Sequence, residues 1–151
     1  MKKIAIFCLL SILLFALPGY SQNPDLTAED AIRYINEKIK GIAEIKNEKG
    51  IMVIQFYEKG KINRTDKVSF AKLNPESVEY FPEEKAIVLK CIQKDCIERR
   101  IINPKTAGQF SRISIFGTFD AKTQMGLIHA FEHLLMLFYD LSYKSNKPFE
   151  R

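Results

Sequence analysis

Apolar residues change their spacing twice along this chain. Between residues 28 and 40, Ile32, Ile35 and Ile39 recur at helical intervals. In front of them Thr27-Ala-Glu-Asp30 has the form of a capping box, where a hydroxyl and an acid three positions apart satisfy first-turn amides. Gly41 supplies a stop. The pattern predicts an amphipathic helix over 28–40.

After Gly41 the period shortens to two. "GIAEIKNEKGIMVIQFYEKGKINRTDKVSF" holds three strand-like runs, separated by Asn47-Glu48-Lys49-Gly50 and Glu58-Lys59-Gly60, both suited to hairpin turns. Further strands are expected near 77–81, 85–91, 96–102 and 109–116. Turns at Asn74-Pro75, around Pro82-Glu83-Glu84 and through "NPKTAG" separate them. Such brief connections favour antiparallel neighbours, because parallel pairing needs a long crossover.

The helical period returns from about 121 to 142. On a wheel of about 100° per residue, Leu127, Phe131, Leu134, Phe138 and Leu141 form one stripe. Ile128 and Leu135 widen it on one side, Ala130 and Leu137 on the other. Lys122, His129, His133 and Asp140 gather opposite, with Met125 and Met136 nearby. The first helix must bury its isoleucines somewhere. Packing on the outer side of the last helix would do so and would cover the methionines too; otherwise these residues form a contact patch for another protein.

The ends add a compartment. "MKKIAIFCLLSILLFALPGYSQ" has two lysines, an apolar run from Ile4 to Leu17, the Pro18-Gly19 break, and small residues at Gly19 and Ser21. Residues 1–21 are expected to be a secretory signal peptide, cut before Gln22. The apolar run is shorter than the roughly 20 residues of a bilayer span, so no stable membrane insertion is expected after cleavage. Cleavage leaves about 130 residues: a lead over 22–26, one domain over 27–143, and a frayed tail over 144–151. Losing Lys2 and Lys3 takes the net charge from +5 to +3. No basic stripe of the kind that nucleic-acid binding requires is present.

Two cysteines remain, Cys91 and Cys96, in "AIVLKCIQKDCIERRII". Export favours a disulfide. A two-residue turn at Gln93-Lys94 would set the two opposite each other across a hairpin. Free thiols or half of a metal site are the alternatives. The four-residue interval matches neither a zinc knuckle nor a C-x-x-C redox pair.

Both histidines lie in "GLIHAFEHLLML", which spells H-x-x-E-H, the order of the inverzincin metalloproteases. His129 and His133 could hold zinc, with Glu132 as base. A third ligand is missing: Asp140 stands about 16 Å along the helix from His129. The two imidazoles are therefore expected on the polar face, in water and without partners, with no catalytic residue, metal or cofactor assigned.

Seven antiparallel strands followed by a long C-terminal helix resemble the pleckstrin-homology-like fold over about residues 42–142. The resemblance implies an α+β domain: two nearly orthogonal sheets forming an open barrel or sandwich, capped at one end by the last helix. The N-terminal helix is extra to that pattern. In phosphoinositide-binding members, basic residues cluster at the first hairpin loop. Here that loop holds only Lys49, beside Glu48, so headgroup binding does not carry over. The chain also resembles small exported proteins of Bacteroidota, whose signal peptides commonly end in Ser-Gln.

The expectation is an exported, non-enzymatic binding or accessory domain of the periplasm or cell surface. It would contact another envelope protein or peptide through a strand edge or the groove beside the last helix. A zinc-dependent hydrolase and a small apolar ligand carrier are the alternatives.

Overall fold

The computed structural model of the protein describes residues 26–145. The expected signal peptide, most of the lead and the end of the tail lie outside them. Helix α1 spans Ala28–Lys38. Its start is the predicted capping box: the Thr27 hydroxyl accepts from the Asp30 amide at 3.2 Å, and the Asp30 carboxylate accepts from the Thr27 amide at 3.2 Å.

Strands β1 (Ala43–Glu48), β2 (Ile51–Glu58) and β3 (Lys61–Ser69) form the expected meander. Its two turns place Lys49-Gly50 at φ 54° and 86°, and Lys59-Gly60 at φ 51° and 74°. Two successive positive φ values make the tight hairpin turn whose twist matches that of the strands.

Two short 3₁₀ turns, Phe70–Lys72 and Pro75–Ser77, then carry the chain out of this sheet. A hairpin of β4 (Glu79–Phe81) and β5 (Ala86–Lys90) begins a second sheet. Strands β6 (Ile97–Ile101) and β7 (Thr106–Phe110) return to the first, and β8 (Arg112–Phe116) joins the second. The orders are β1-β2-β3-β6-β7 and β4-β5-β8. The fold is thus α+β, with two sheets that do not close into one barrel.

Two expectations need correction. The expected turn "NPKTAG" ends early and the run at 109–116 is divided: Thr106–Phe110 is one strand and Arg112–Phe116 another, so the sheets hold eight rather than seven. Around Ser111 the chain stops pairing with β6 and starts pairing with β5. Short connections also do not always turn the chain back within one sheet. Those from β3 to β4, β5 to β6 and β7 to β8 all switch sheets. A brief loop limits how far the chain travels, not which layer it lands in.

Helix α2 spans Ala121–Ser145. Its Leu127, Phe131, Leu134 and Leu135 are buried as the wheel predicts, and Phe138 stacks on Phe70 with centroids 4.2 Å apart. These side chains share one apolar cluster with Ile35 and Ile39 of the α1 region and with Ile45, Met52, Ile87 and Ile113 of both sheets. Helix α1 lies against α2, where Gly126 permits the approach: a Cβ there would stand 2.1 Å from the Tyr34 hydroxyl. Ile35 and Ile39 are buried inside the molecule and Ile32 is partly buried, but the methionines are not covered with them. Met125 and Met136 remain 52% and 44% exposed, correcting that part of the expectation.

Candidate functional site

The histidines lie on the polar face that the helical wheel gives them, but that face is not left to water alone. Helix α1 crosses the polar side of α2, so His129 and His133 line a shallow cleft with Leu26, Asp30, Tyr34 and Gly126. His133 is half-buried and its Nε2 donates to the Leu26 carbonyl at 2.8 Å. A carbonyl only accepts, so this bond places a proton on Nε2. His129 is exposed. The expectation of two unpartnered imidazoles is therefore corrected for His133. Glu132 is half-buried and is not among the cleft-lining residues. Among the described residues, no three His, Cys, Asp or Glu side chains converge to hold a metal.

Cys91 and Cys96 are bridged, with Cα atoms 5.9 Å apart. The pairing matches the expectation, but its setting does not. Cys91 leaves β5 in the small sheet and Cys96 leads into β6 in the large one, so the bond closes a crossing between sheets rather than a hairpin. Beside it the Cys91 amide donates to the Ser111 carbonyl at 2.9 Å, where β7 gives way to β8.

A charged seam that sequence reasoning missed joins the sheets nearby. Asp66 of β3 is fully buried. It faces Arg99 of β6 in register and accepts from Arg99 Nε and Nη2, each at 2.8 Å. Arg64, two residues back on the same face of β3, reaches the second Asp66 oxygen at 3.2 Å. Both guanidiniums continue to β8: Arg64 Nη2 donates to the Ser114 carbonyl at 3.3 Å and Arg99 Nη2 to the Arg112 carbonyl at 3.1 Å. Each also lies on an aromatic ring, Arg64 on Phe56 at 3.6 Å and Arg99 on Phe110 at 4.2 Å. Burial pushes the Arg64 guanidinium down to about 10; Asp66 opposes the fall and Arg99 adds to it.

A signal for this seam does exist in the sequence. Ile62, Arg64, Asp66 and Val68 alternate onto one face of β3, and Ile97, Arg99 and Ile101 onto one face of β6. Charges at positions shared with core aliphatics mark an inward ion network. The run of charges in "KDCIERR" hides this, because Arg99 faces inward while Arg100 is exposed.

Side chains also determine which strand edges are open. On the β1 edge, the Asn36 side-chain amide of α1 donates to the Ile45 carbonyl at 2.8 Å and accepts from its amide at 2.7 Å, standing in for a missing strand. The β8 edge gives its carbonyls to the two arginines. β4 has only three residues. Among the described residues β7 ends the large sheet with no strand beyond it, and its residues are mostly exposed. Its outward groups can be identified. The Ile102 amide bonds back to the Asn63 carbonyl of β3, so by alternation Ile97, Arg99 and Ile101 direct their backbone to β7. Their partners Phe110, Gly108 and Thr106 face them, which leaves Ala107 and Gln109 pointing outward.

Comparison with known proteins finds no family model, curated protein or solved structure that matches the chain.

Proposed function

We propose that this protein is a non-enzymatic, exported binding or accessory domain of the cell envelope. It captures an extended segment of another envelope protein or peptide as an added strand on β7. The carrying observation is the contrast among edges: β1 and β8 are occupied by side chains, β4 is short, and β7 offers the N–H and C=O groups of Ala107 and Gln109. Main-chain bonds to such an edge give affinity, and alternate side chains give selectivity. Native proteins usually protect an edge with lysine, proline or a covering element, and the five residues of β7 contain neither lysine nor proline.

Export is supported by the leader-like segment 1–21 and fits the Cys91–Cys96 bridge. A pleckstrin-homology-like architecture belongs to the same proposal. Two sheets followed by a long C-terminal helix support it, while eight strands and the crossings between sheets are its departures.

A photoreactive p-benzoylphenylalanine at position 109 of the full chain, in its native envelope, tests the reading. An adduct with one partner is expected, and the additional change Ala107→Pro should abolish it. Proline fits an edge position whose N–H faces outward, so the fold should survive with a stability change within about 1 kcal/mol. Adducts that persist in the Ala107→Pro protein, or their absence from position 109 altogether, would sink the β7 reading.

A further inference from the structure

The charged seam holds more positive charge than its structural duty explains. Asp66 is one carboxylate between two guanidiniums whose side chains are only 16% and 14% exposed. A cation withdrawn from water without its own counterion is costly. Arg112 brings a third guanidinium to the same place, held from outside by both oxygens of Glu84 at 3.0 to 3.2 Å. The five groups together carry one net positive charge.

This charge borders open space. A cleft of about 310 Å³ is lined by Arg64, Arg99, Arg112 and Ser114, with Phe110 and Phe116 among its walls. Neither Asp66 nor Glu84 lines it, so the carboxylates stand behind the cations rather than in front of them. Unused donors remain. Among the described residues no bond engages Nη1 of Arg64 or Arg99, and the Arg64 Nε, sealed from solvent, also lacks a partner. Phe56 and Phe110 fix the planes of the two guanidiniums, so little side-chain freedom remains to be lost on binding.

We propose that the Arg64–Arg99–Arg112 cleft binds a small oxyanion, either a carboxylate or a phosphate group. The carboxylates and carbonyls occupy the guanidinium forks, so the unengaged Nη1 groups of Arg64 and Arg99 are the donors left for the oxygens of one anion, and an anion there would balance the surplus charge. The exposed rings of Phe110 and Phe116 also favour an apolar substituent on the bound group. This inference is independent of strand addition at β7, since it uses side chains rather than the open backbone of Ala107 and Gln109.

The test is a titration of full-length ¹⁵N-labelled protein followed through the arginine Nε–Hε signals. Sodium phosphate and sodium acetate are added separately, with ionic strength held constant by sodium chloride. Saturable movement of the Arg64 and Arg99 signals is expected, while exposed Arg33 and Arg100 stay still. Saturation by phosphate alone identifies a phosphate group as the ligand chemistry, and by acetate alone a carboxylate. Arg112→Gln alters an arginine outside the buried ion pairs and should weaken binding about tenfold. The proposal is overturned by shifts that grow linearly across the titration, by equal movement of all arginines, or by unchanged affinity in the Arg112→Gln protein.

Discussion

The two sheets meet in two chemically different places. In the apolar cluster, Ile87, Leu89, Ile113 and Ile115 of the small sheet share buried surroundings with Met52, Ile54, Phe131 and Leu134. At the edge of β8 the contact is Asp66 between Arg64 and Arg99, whose guanidiniums bond to carbonyls of the facing strand. Apolar burial stabilises roughly in proportion to area and has no preferred direction. The charged seam must recover a desolvation cost before it contributes anything, but its hydrogen bonds are directional and fix where β8 lies. The molecule therefore draws its stability from one junction and the placement of an edge from the other.

Phe131→Ala should show the largest effect. The ring is fully buried, and truncating such a residue costs about 3–5 kcal/mol, measurable by urea denaturation. A loss below about 1 kcal/mol would mean that the apolar junction is not the main source of stability.

Asp66→Ala should come next. Breaking a buried ion pair costs about 3–5 kcal/mol; here the low end, about 3 kcal/mol, is expected because water reaches the edges of both guanidiniums. Replacing the three residues together, as Arg64→Met, Asp66→Leu and Arg99→Met, should recover most of that loss. The same triple variant should lose oxyanion binding. If it were as unstable as Asp66→Ala, the seam would be a net source of stability and the contrast would fail.

Reduction of Cys91–Cys96 should have the smallest effect. The bond closes a short loop, for which chain entropy gives about 2 kcal/mol, and its reduction should add the mass of two hydrogen atoms. Because the loop crosses between sheets, the backbone amide signals expected to move are those around Ser111, at the start of β8, and not those of β1 and β2. An unchanged mass would rule out the bond.

Much of this was legible in advance. The capping box at Thr27, the hairpins at Lys49-Gly50 and Lys59-Gly60, the turn at Asn74-Pro75 and the buried stripe of α2 are all local. Each depends on residues a few positions apart, whose backbone angles or helical spacing carry the information by themselves. The pairing of Cys91 with Cys96 was legible because they are the two cysteines beyond residue 21.

The features that local patterns do not carry depend on neighbours distant in sequence. Ser111 carries no strong turn signal, yet the strand changes partner there because β6 and β5 lie on opposite sides of it. His133 belongs to a polar helical face, and only the docking of α1 brings the Leu26 carbonyl to its ring. Arg99 sits in a run of charges, and only its register with Asp66 turns it inward.

Local patterning determined both helices, the strands and turns of the first hairpins, and which face of α2 is greasy, because those outcomes follow from short-range sterics and periodicity. Tertiary structure alone decided which sheet each strand joins, which edge stays open and which cations meet at one cleft. Those depend on how layers stack, and a period of two or of 3.6 residues carries no information about the layer opposite.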